Sequence, residues 1–474
     1  MEGTEEKGRK MRVLFVSTAF ARHEGDIITP WLTLTARKLR EKGVEVEVFT
    51  SSYRGQKSNT VYNIPVHRFR YFPARWERLT YEEAVPERLK HKPIYWLILP
   101  FYLACGCLNM FFLLLNRHYN VIHIYWPLPH IIFGAVGKVF FRIPIVSSFF
   151  GVELRWVKTK LPILIPFIKW AIKISDITTA ISTYTARETT ELQPADIKII
   201  PFGAAYSPEG KSIKRKKTSP PIVLFVGRLV ERKGVVYLLR AIKLLKDIPL
   251  KLIIVGDGPE RKNIEEEVKK LNLETKVEIA GKVDDDTLME LYEKASVFVL
   301  PACVDKRGDT EGLGVVLIEA LTYEVPVIAS KVGGILDIVK DGETGLLVPE
   351  KDPSALAKAI KQLLTDTKLA KELAKQGRAF VEKQFSWERV TKDIIKLYSS
   401  ATDFDERITK YQVEHIAGLV GGKTKYKPLN CGNMKTHGLC PGEDKTCMKV
   451  KNPLTYYLRI LKTSLKREKW KQRP

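Results

Sequence analysis

Two glutamates eight residues apart, Glu311 and Glu319, stand in the run Asp309-Thr310-Glu311-Gly312-Leu313-Gly314-Val315-Val316-Leu317-Ile318-Glu319-Ala320. If Glu311 begins a helix, Glu319 falls about two turns along it, and both carboxylates address one ligand from the same side. Gly312 and Gly314 let backbone N–H groups close on phosphate oxygens at that helix start. A carboxylate beside a phosphate is unfavourable unless it accepts from hydroxyls, and a sugar and a ribose supply those. Upstream, Gly227-Arg228-Leu229 follows the apolar run IVLFV, and Glu231-Arg232-Lys233-Gly234 opens the next helix. A glycine turn at a helix N-terminus, carrying the fixed guanidinium of Arg228 and the flexible ammonium of Lys233, can clamp a diphosphate. The plainer alternative is a strand-to-helix turn with solvated charges. Gly256-Asp257-Gly258-Pro259 after LIIV repeats the pattern, as a tight turn or as a ligand contact.

These residues need strands to carry them. MRVLFVSTA, a helical spacing over Pro30–Lys42 and VEVEVFTSS predict an opening βαβ unit. VIHIYW, IPIVSSFF, ITTAIS and IKIIPF continue it, so residues 11–203 read as one α/β domain. A linker rich in Pro, Ser and Lys covers 204–220, and a second series (IVLFVG, LKLIIVG, VEIAG, VFVLP, VPVIAS, GLLVP) fills 221–399. The expected architecture is two Rossmann-like domains facing a cleft, with ligands at the carboxyl ends of the strands. The α/β rhythm stops after a helix ending near Tyr398. Residues 402–474 differ in kind, with 16 Lys+Arg against 7 Asp+Glu, and read as a small Cys-containing appendage.

Over all 474 residues, 78 Lys+Arg against 54 Asp+Glu give a net charge of +24. That excess suits an anionic partner: a nucleotide diphosphate, an acidic lipid surface or nucleic acid. A well-solvated thermophile surface is compatible with it. The charged Met1–Met11 stretch has no apolar leader core and predicts a cytoplasmic protein. Six cysteines in this length make no disulfide framework. One uncharged stretch, Pro93–Leu115, is long enough to span a bilayer. Its place inside the α/β series, with Pro100 and Gly106, favours a buried or membrane-surface helix over a span.

The segment GRL-x-x-x-KG, the GDGPE turn, the E-x7-E element, VGGILDIVKDGETGLLV and the closing FSWERV together resemble the retaining, GT-B-fold glycosyltransferases of family 4, the glycosyl transferases group 1, across about residues 11–399. The resemblance implies transfer of a sugar with retention from a nucleotide-sugar donor (a UDP- or GDP-sugar), with no metal needed. It implies that Arg228 and Lys233 bind the diphosphate, that Glu311 holds the donor sugar and Glu319 the ribose, and that backbone at Gly312, Leu313 and Gly314 cradles phosphate. Gly25, Gly227, Gly256 and Gly258 complete the donor side. Members usually carry a histidine after the fifth strand-like segment. Here Ser148-Phe149-Phe150-Gly151-Val152-Glu153 has Phe150 in that place, while Gly151 and Glu153 match on the acceptor side. His23, in the first loop, reads as a surface residue. The acceptor (lipid-linked, glycan or small molecule) is expected to meet the basic, aromatic set Arg68, Arg70, Tyr71, Arg75, Trp76 and Arg78. Together with 93–115 and LPILIPFIKWAIKI, that set resembles members acting at a membrane surface.

The tail is similar to something else. FDERITKYQVEHIAG, the spacing of Cys431, Cys440 and Cys447, and NPLTYY resemble the C-terminal end of the archaeal DNA primase large subunit. In that family the region helps hold a [4Fe–4S] cluster through four cysteines. The fourth ligand has no counterpart here. The three cysteines with His437 would suit zinc, and a metal-free remnant is a further alternative. The tail's charge could meet nucleic acid if it functions as in that family.

Overall fold

The computed structural model describes residues 10–26, 28–82, 85–204 and 215–419, with backbone alone at 86, 87 and 404–419. The N-terminal strands are β1 (Arg12–Val16), β2 (Glu45–Ser51), β3 (Asn59–Val61), β4 (Ile64–Phe69), β5 (Val121–Tyr125), β6 (Ile145–Phe149), β7 (Ile177–Ala180) and β8 (Ile197–Ile199). They form an eight-stranded sheet in the order β3-β4-β2-β1-β5-β6-β7-β8. Only the β3–β4 pairing is antiparallel, at one edge. The second sheet has six parallel strands: β9 (Ile222–Val226), β10 (Lys251–Val255), β11 (Val277–Gly281), β12 (Ala295–Leu300), β13 (Val327–Ser330) and β14 (Leu346–Val348). Their order is β11-β10-β9-β12-β13-β14. Parallel strands covered on both faces are apolar throughout, as VLFV of β1 and IVLFV of β9 are, and every residue of β9 is buried.

In both sheets the chain order reverses beside the first strand, β1 or β9, which creates the switch-point crevice of a doubly wound sheet. One face of the N-terminal sheet carries helix Pro30–Glu41. The other carries Tyr95–Asn116, Pro127–Phe141 and Ile165–Ile174 as an outer layer.

The Pro93–Leu115 segment becomes that first outer helix. Tyr95, Ile98, Tyr102, Gly106, Met110 and Leu114 form one buried stripe along it. A Cβ on Gly106 would lie 2.4 Å from the Phe133 ring, and Tyr102 Oη lies 3.0 Å from His130 Nε2. One stripe of the helix surface is therefore committed to the domain core.

The final helix corrects the expected boundary. It runs Trp387–Leu419 rather than ending near Tyr398, because no proline or capping glycine interrupts the helical spacing. It returns to the N-terminal domain, packing on helix Pro30–Glu41, β5 and β6. Trp387 Nε1 donates to the Ala204 carbonyl at 2.7 Å, and Tyr398 Oη lies 2.7 Å from His123 Nδ1 on β5. Both His123 and Tyr398 are buried, and burial pushes the imidazole down to about 3.

Candidate functional site

The carboxyl ends of β9, β10, β12 and β13 converge on one set of loops. After β9, the Gly227 N–H donates to the Val255 carbonyl and the Leu229 N–H to the Asp257 carbonyl, both at 3.0 Å. A Cβ on Gly256 would sit 2.0 Å from the Gly227 oxygen, and one on Gly258 would sit 2.3 Å from the Leu229 oxygen. The two glycine turns are therefore laid backbone against backbone. Arg228, between them, is exposed and has no ion-pair partner among the described residues.

Lys233 arrives differently from the sequence expectation. The segment Glu231–Lys233 is a 3₁₀ turn and the helix opens only at Val235. Between them Gly234 takes φ +67°, where a Cβ would strike the Pro301 carbonyl oxygen at 1.9 Å. That tight approach folds Lys233 inward. Its Nζ lies 2.6 Å from Glu311 Oε2, and Arg232 Nη1 lies 3.0 Å from the same oxygen. Burial pushes the Glu311 carboxyl upward, but Lys233 and then Arg232 draw it down to about 2. It is a buried carboxylate held in its ionised form by two cations.

A second correction concerns the two glutamates. Glu311 does not begin the helix: Gly314 interrupts at φ +92°, and the helix is Val315–Thr322. Glu311 stands on the loop and Glu319 on the helix, so they approach the site from separate elements. Glu319 is buried, and its Oε2 accepts from Tyr292 Oη at 2.9 Å. Behind the loop, the Gly334 N–H donates to the Glu311 carbonyl at 2.9 Å. A Cβ on Gly334 would lie 2.0 Å from the Gly312 oxygen. The glycine pair after β13 thus fixes the height of the 311–314 backbone.

Across the cleft stands the loop after β6. A Cβ on Gly312 would lie 3.2 Å from the Phe150 carbonyl oxygen, so the two domains touch here. Phe150 is buried among Trp31, Trp126 and Phe202, with ring centroids at 5.2, 5.0 and 5.6 Å. An aromatic cluster occupies the place where the resembled family carries an imidazole. Gly151 takes φ +87° before helix Val152–Lys160. Glu153 is not presented to an open acceptor side. It is buried, Oε1 accepts from the Phe150 N–H at 2.8 Å, and Oε2 has no hydrogen-bond partner among the described residues. Burial raises its pKa to about 7.

Other expectations also change. Arg68 and Tyr71 are buried, and Arg68 bonds Tyr81 Oη, Asn59 and the Ala21 carbonyl, as a strut inside the domain. Arg70 pairs with Glu77 at 2.7 Å. The Gly25 N–H donates to Tyr62 Oη at 2.7 Å, which ties it to the β3–β4 turn. No hydrogen bond joins Gly25 to the C-terminal loops among the described residues. His23 is exposed. The cysteines Cys431, Cys440 and Cys447, with His437, lie outside the described residues. Among the described residues no group of three His, Cys, Asp or Glu is placed to hold a metal.

Sequence reasoning missed one feature. Arg155 Nε lies 2.7 Å from Asp309 in the other domain and its Nη1 lies 2.6 Å from Glu188. Asp309 in turn lies 3.4 Å from Arg232. Charges therefore alternate from Glu188 through Arg155, Asp309 and Arg232 to Glu311 and Lys233. A second strap is the Thr183 N–H donating to Asp337 at 2.6 Å. Asp309 stood in the motif already singled out, but nothing in its spacing points to an arginine so far upstream.

Comparisons with known proteins agree with this fold. Residues 31–205 match the family described as Glycosyltransferase Family 4, and 207–380 match Glycosyl transferases group 1. An uncharacterised glycosyltransferase of Methanocaldococcus jannaschii is 28% identical over 372 residues, covering 78% of this chain and 95% of that protein. N-acetyl-alpha-D-glucosaminyl L-malate synthase of Bacillus anthracis is 29% identical over 60% of this chain and 75% of its own length. Among solved structures, sucrose-phosphate synthase from Thermosynechococcus elongatus superposes with TM-score 0.64 at 24% identity, covering 82% of this chain and 99% of that one. HepE of Anabaena in complex with UDP-glucose gives 0.60 at 19%, over 82% and 100%. A further match, to the C-terminal domain of the eukaryotic and archaeal DNA primase large subunit, spans 347–469. Its described portion, from β14 through the helices to Leu419, is built into the two-domain fold itself.

Proposed function

We propose a donor and a mechanism on one premise: the chain belongs to the GT-B-fold glycosyltransferases of family 4, the glycosyl transferases group 1. It transfers a sugar, with retention at the anomeric carbon, from a nucleoside diphosphate sugar. The observation that carries this reading is the Lys233–Glu311–Arg232 cluster beside loops whose glycines leave backbone bare.

A diphosphate entering these loops meets two cations. Arg228 is exposed and unpaired among the described residues, and Lys233 can exchange its carboxylate for a phosphate oxygen. That exchange frees one face of Glu311 to accept from hydroxyls of the donor sugar. Glu319 accepts from the ribose, beside Tyr292. Backbone N–H groups of Gly312, Leu313 and Gly314 face phosphate at the start of helix Val315–Thr322. As the bond to the anomeric carbon breaks, negative charge grows on the departing diphosphate, and Arg228 and Lys233 stabilise it there. The acceptor hydroxyl attacks from the face that the diphosphate leaves, and its proton passes to the departing phosphate oxygen. The HepE complex with UDP-glucose supports a uridine donor, and a GDP-sugar is the alternative tested alongside it.

The acceptor enters on the side of Gly151 and Phe150, and we read it as lipid-linked, with the enzyme peripheral on the cytoplasmic membrane face. The test is a panel of UDP- and GDP-sugars given to the full chain, with product mass and anomeric configuration determined. Glu319→Ala is expected to raise donor KM at nearly constant kcat. Arg228→Ala is expected to lower kcat about 10²- to 10³-fold. Wild-type kinetics in both variants would remove the site assignment, and an inverted product would remove retention.

A further inference from the structure

Fourteen large apolar side chains are exposed among the described residues, and twelve of them fall between Ile94 and Trp170. They are not scattered. On helix Tyr95–Asn116, Leu97, Phe101, Leu108, Phe112 and Leu115 follow one another at spacings that put them on a single stripe, opposite the buried stripe. The ring of Phe111 packs on Phe140 at 5.5 Å, which joins this stripe to the exposed end of helix Pro127–Phe141. Helix Ile165–Ile174, with Trp170 exposed, packs against the same helix and extends the layer.

The charge along this stretch is mostly positive, and Glu191 and Asp176 just beyond it pair with Lys158 and Lys138. From Lys92 to Ser175 the chain contains nine Lys or Arg and one acidic residue, Glu153, which is buried. Arg142, Lys160, Lys169 and Lys173 have no ion-pair partner among the described residues. A surface awaiting a second copy of itself would set these cations against one another. A surface facing water alone would leave the apolar stripe uncovered. Apolar area flanked by these four cations is the complement of an anionic bilayer.

We propose that this outer helix layer docks in the plane of an anionic phospholipid bilayer. The Leu97–Phe101–Phe112 stripe enters the headgroup–acyl boundary, and Arg142, Lys169 and Lys173 meet lipid phosphates. The helix stays attached to its domain, because its other face is the Tyr95–Leu114 stripe of the core. Val152, half exposed one residue after Gly151, carries the apolar surface to the mouth of the cleft. The purpose of docking rests on the lipid-linked acceptor reading above; the docking itself does not.

The test is sedimentation of the full chain with vesicles of phosphatidylcholine alone and of phosphatidylcholine with about one third phosphatidylglycerol. Binding is expected to the anionic vesicles, at least about tenfold weaker to the neutral ones, and weakened by salt. The exposed-site variant Phe101→Ser/Phe112→Ser should lose about tenfold, and Arg142→Glu/Lys169→Glu/Lys173→Glu should lose the preference for anionic lipid. Hydrolysis of the nucleotide sugar without vesicles should be unchanged in both variants, which shows that they fold. A wild-type chain that stays in the supernatant with every vesicle overturns the proposal. So does wild-type binding by both variants, or a wild-type dimer in solution that Phe101→Ser/Phe112→Ser dissociates. Vesicle binding by a chain that glycosylates only soluble acceptors would overturn the lipid-linked reading and leave docking intact.

Discussion

Glu311 and Glu153 are both buried carboxyl groups, and their surroundings drive them in opposite directions. Glu311 has Lys233 and Arg232 on one oxygen and ionises at about 2. Glu153 has a backbone N–H on one oxygen and no hydrogen-bond partner on the other among the described residues, and burial raises it to about 7. The consequences for stability have opposite signs. A group with a lowered folded pKa contributes stability above its unfolded value, and this is lost as pH falls through the folded one. The Glu311 contribution therefore disappears between about 4.5 and about 2. A group with a raised folded pKa contributes stability at low pH that is lost as pH rises, so Glu153 weakens the fold between about 4.5 and about 7. Glu153→Gln is expected to be more stable than the wild type at pH 8, by roughly 1–3 kcal/mol, with the gap closing at pH 4.5. Denaturant unfolding at the two pH values measures it, and an equal difference at both would show that Glu153 does not titrate in this window. The Glu311 motif was legible in the sequence because its glycines and spacing are local. The state of Glu153 was not, since nothing in SFFGVE reveals that its second oxygen is enclosed.

The loops act as elements because glycines let backbones touch. Gly334 against Gly312, Gly256 against Gly227 and Gly234 against Pro301 each leave no room for a methyl group. Gly334→Ala is expected to push the 311–314 loop out of place and to cost about 1–3 kcal/mol of stability, with donor KM rising further than stability alone explains. Calorimetry and donor titration on the same preparation separate the two, and a variant with wild-type KM would show that the loop has slack. The strands around these loops were readable as apolar runs. Helix starts were less so: the expected openings at Glu231 and Glu311 fall at Val235 and Val315. In each case a left-handed glycine just before the helix, Gly234 or Gly314, delays it, and sequence shows the glycine but not its φ.

At the scale of the whole molecule, Arg155 and Asp309 link the two domains with a 2.7 Å ion pair, and the Thr183–Asp337 strap closes beside it. Arg155 is buried, so removing it strands Glu188, whose pKa burial already raises. Arg155→Met is expected to cost about 3–5 kcal/mol and Asp309→Asn less, because Asp309 is a quarter exposed. A double-mutant cycle should return a coupling of about 0.5–3 kcal/mol, and X-ray scattering should show a more open molecule for Asp309→Asn/Thr183→Val. Strict additivity with an unchanged radius of gyration would show that these pairs do not hold the cleft. The sequence by itself determined the two α/β series, the cations and carboxylates of the loops at 227–234 and 309–319 and the family, because those signals lie within a few residues of one another. Tertiary structure alone decided that Lys233 and Arg232 share Glu311, that Phe150 lies in an aromatic cluster, and that Arg68 is a strut. It alone put the apolar stripe of Tyr95–Asn116 outward. Each of these depends on which distant segment covers a side chain, and burial by a distant segment is what sets its charge, its partners and its exposure.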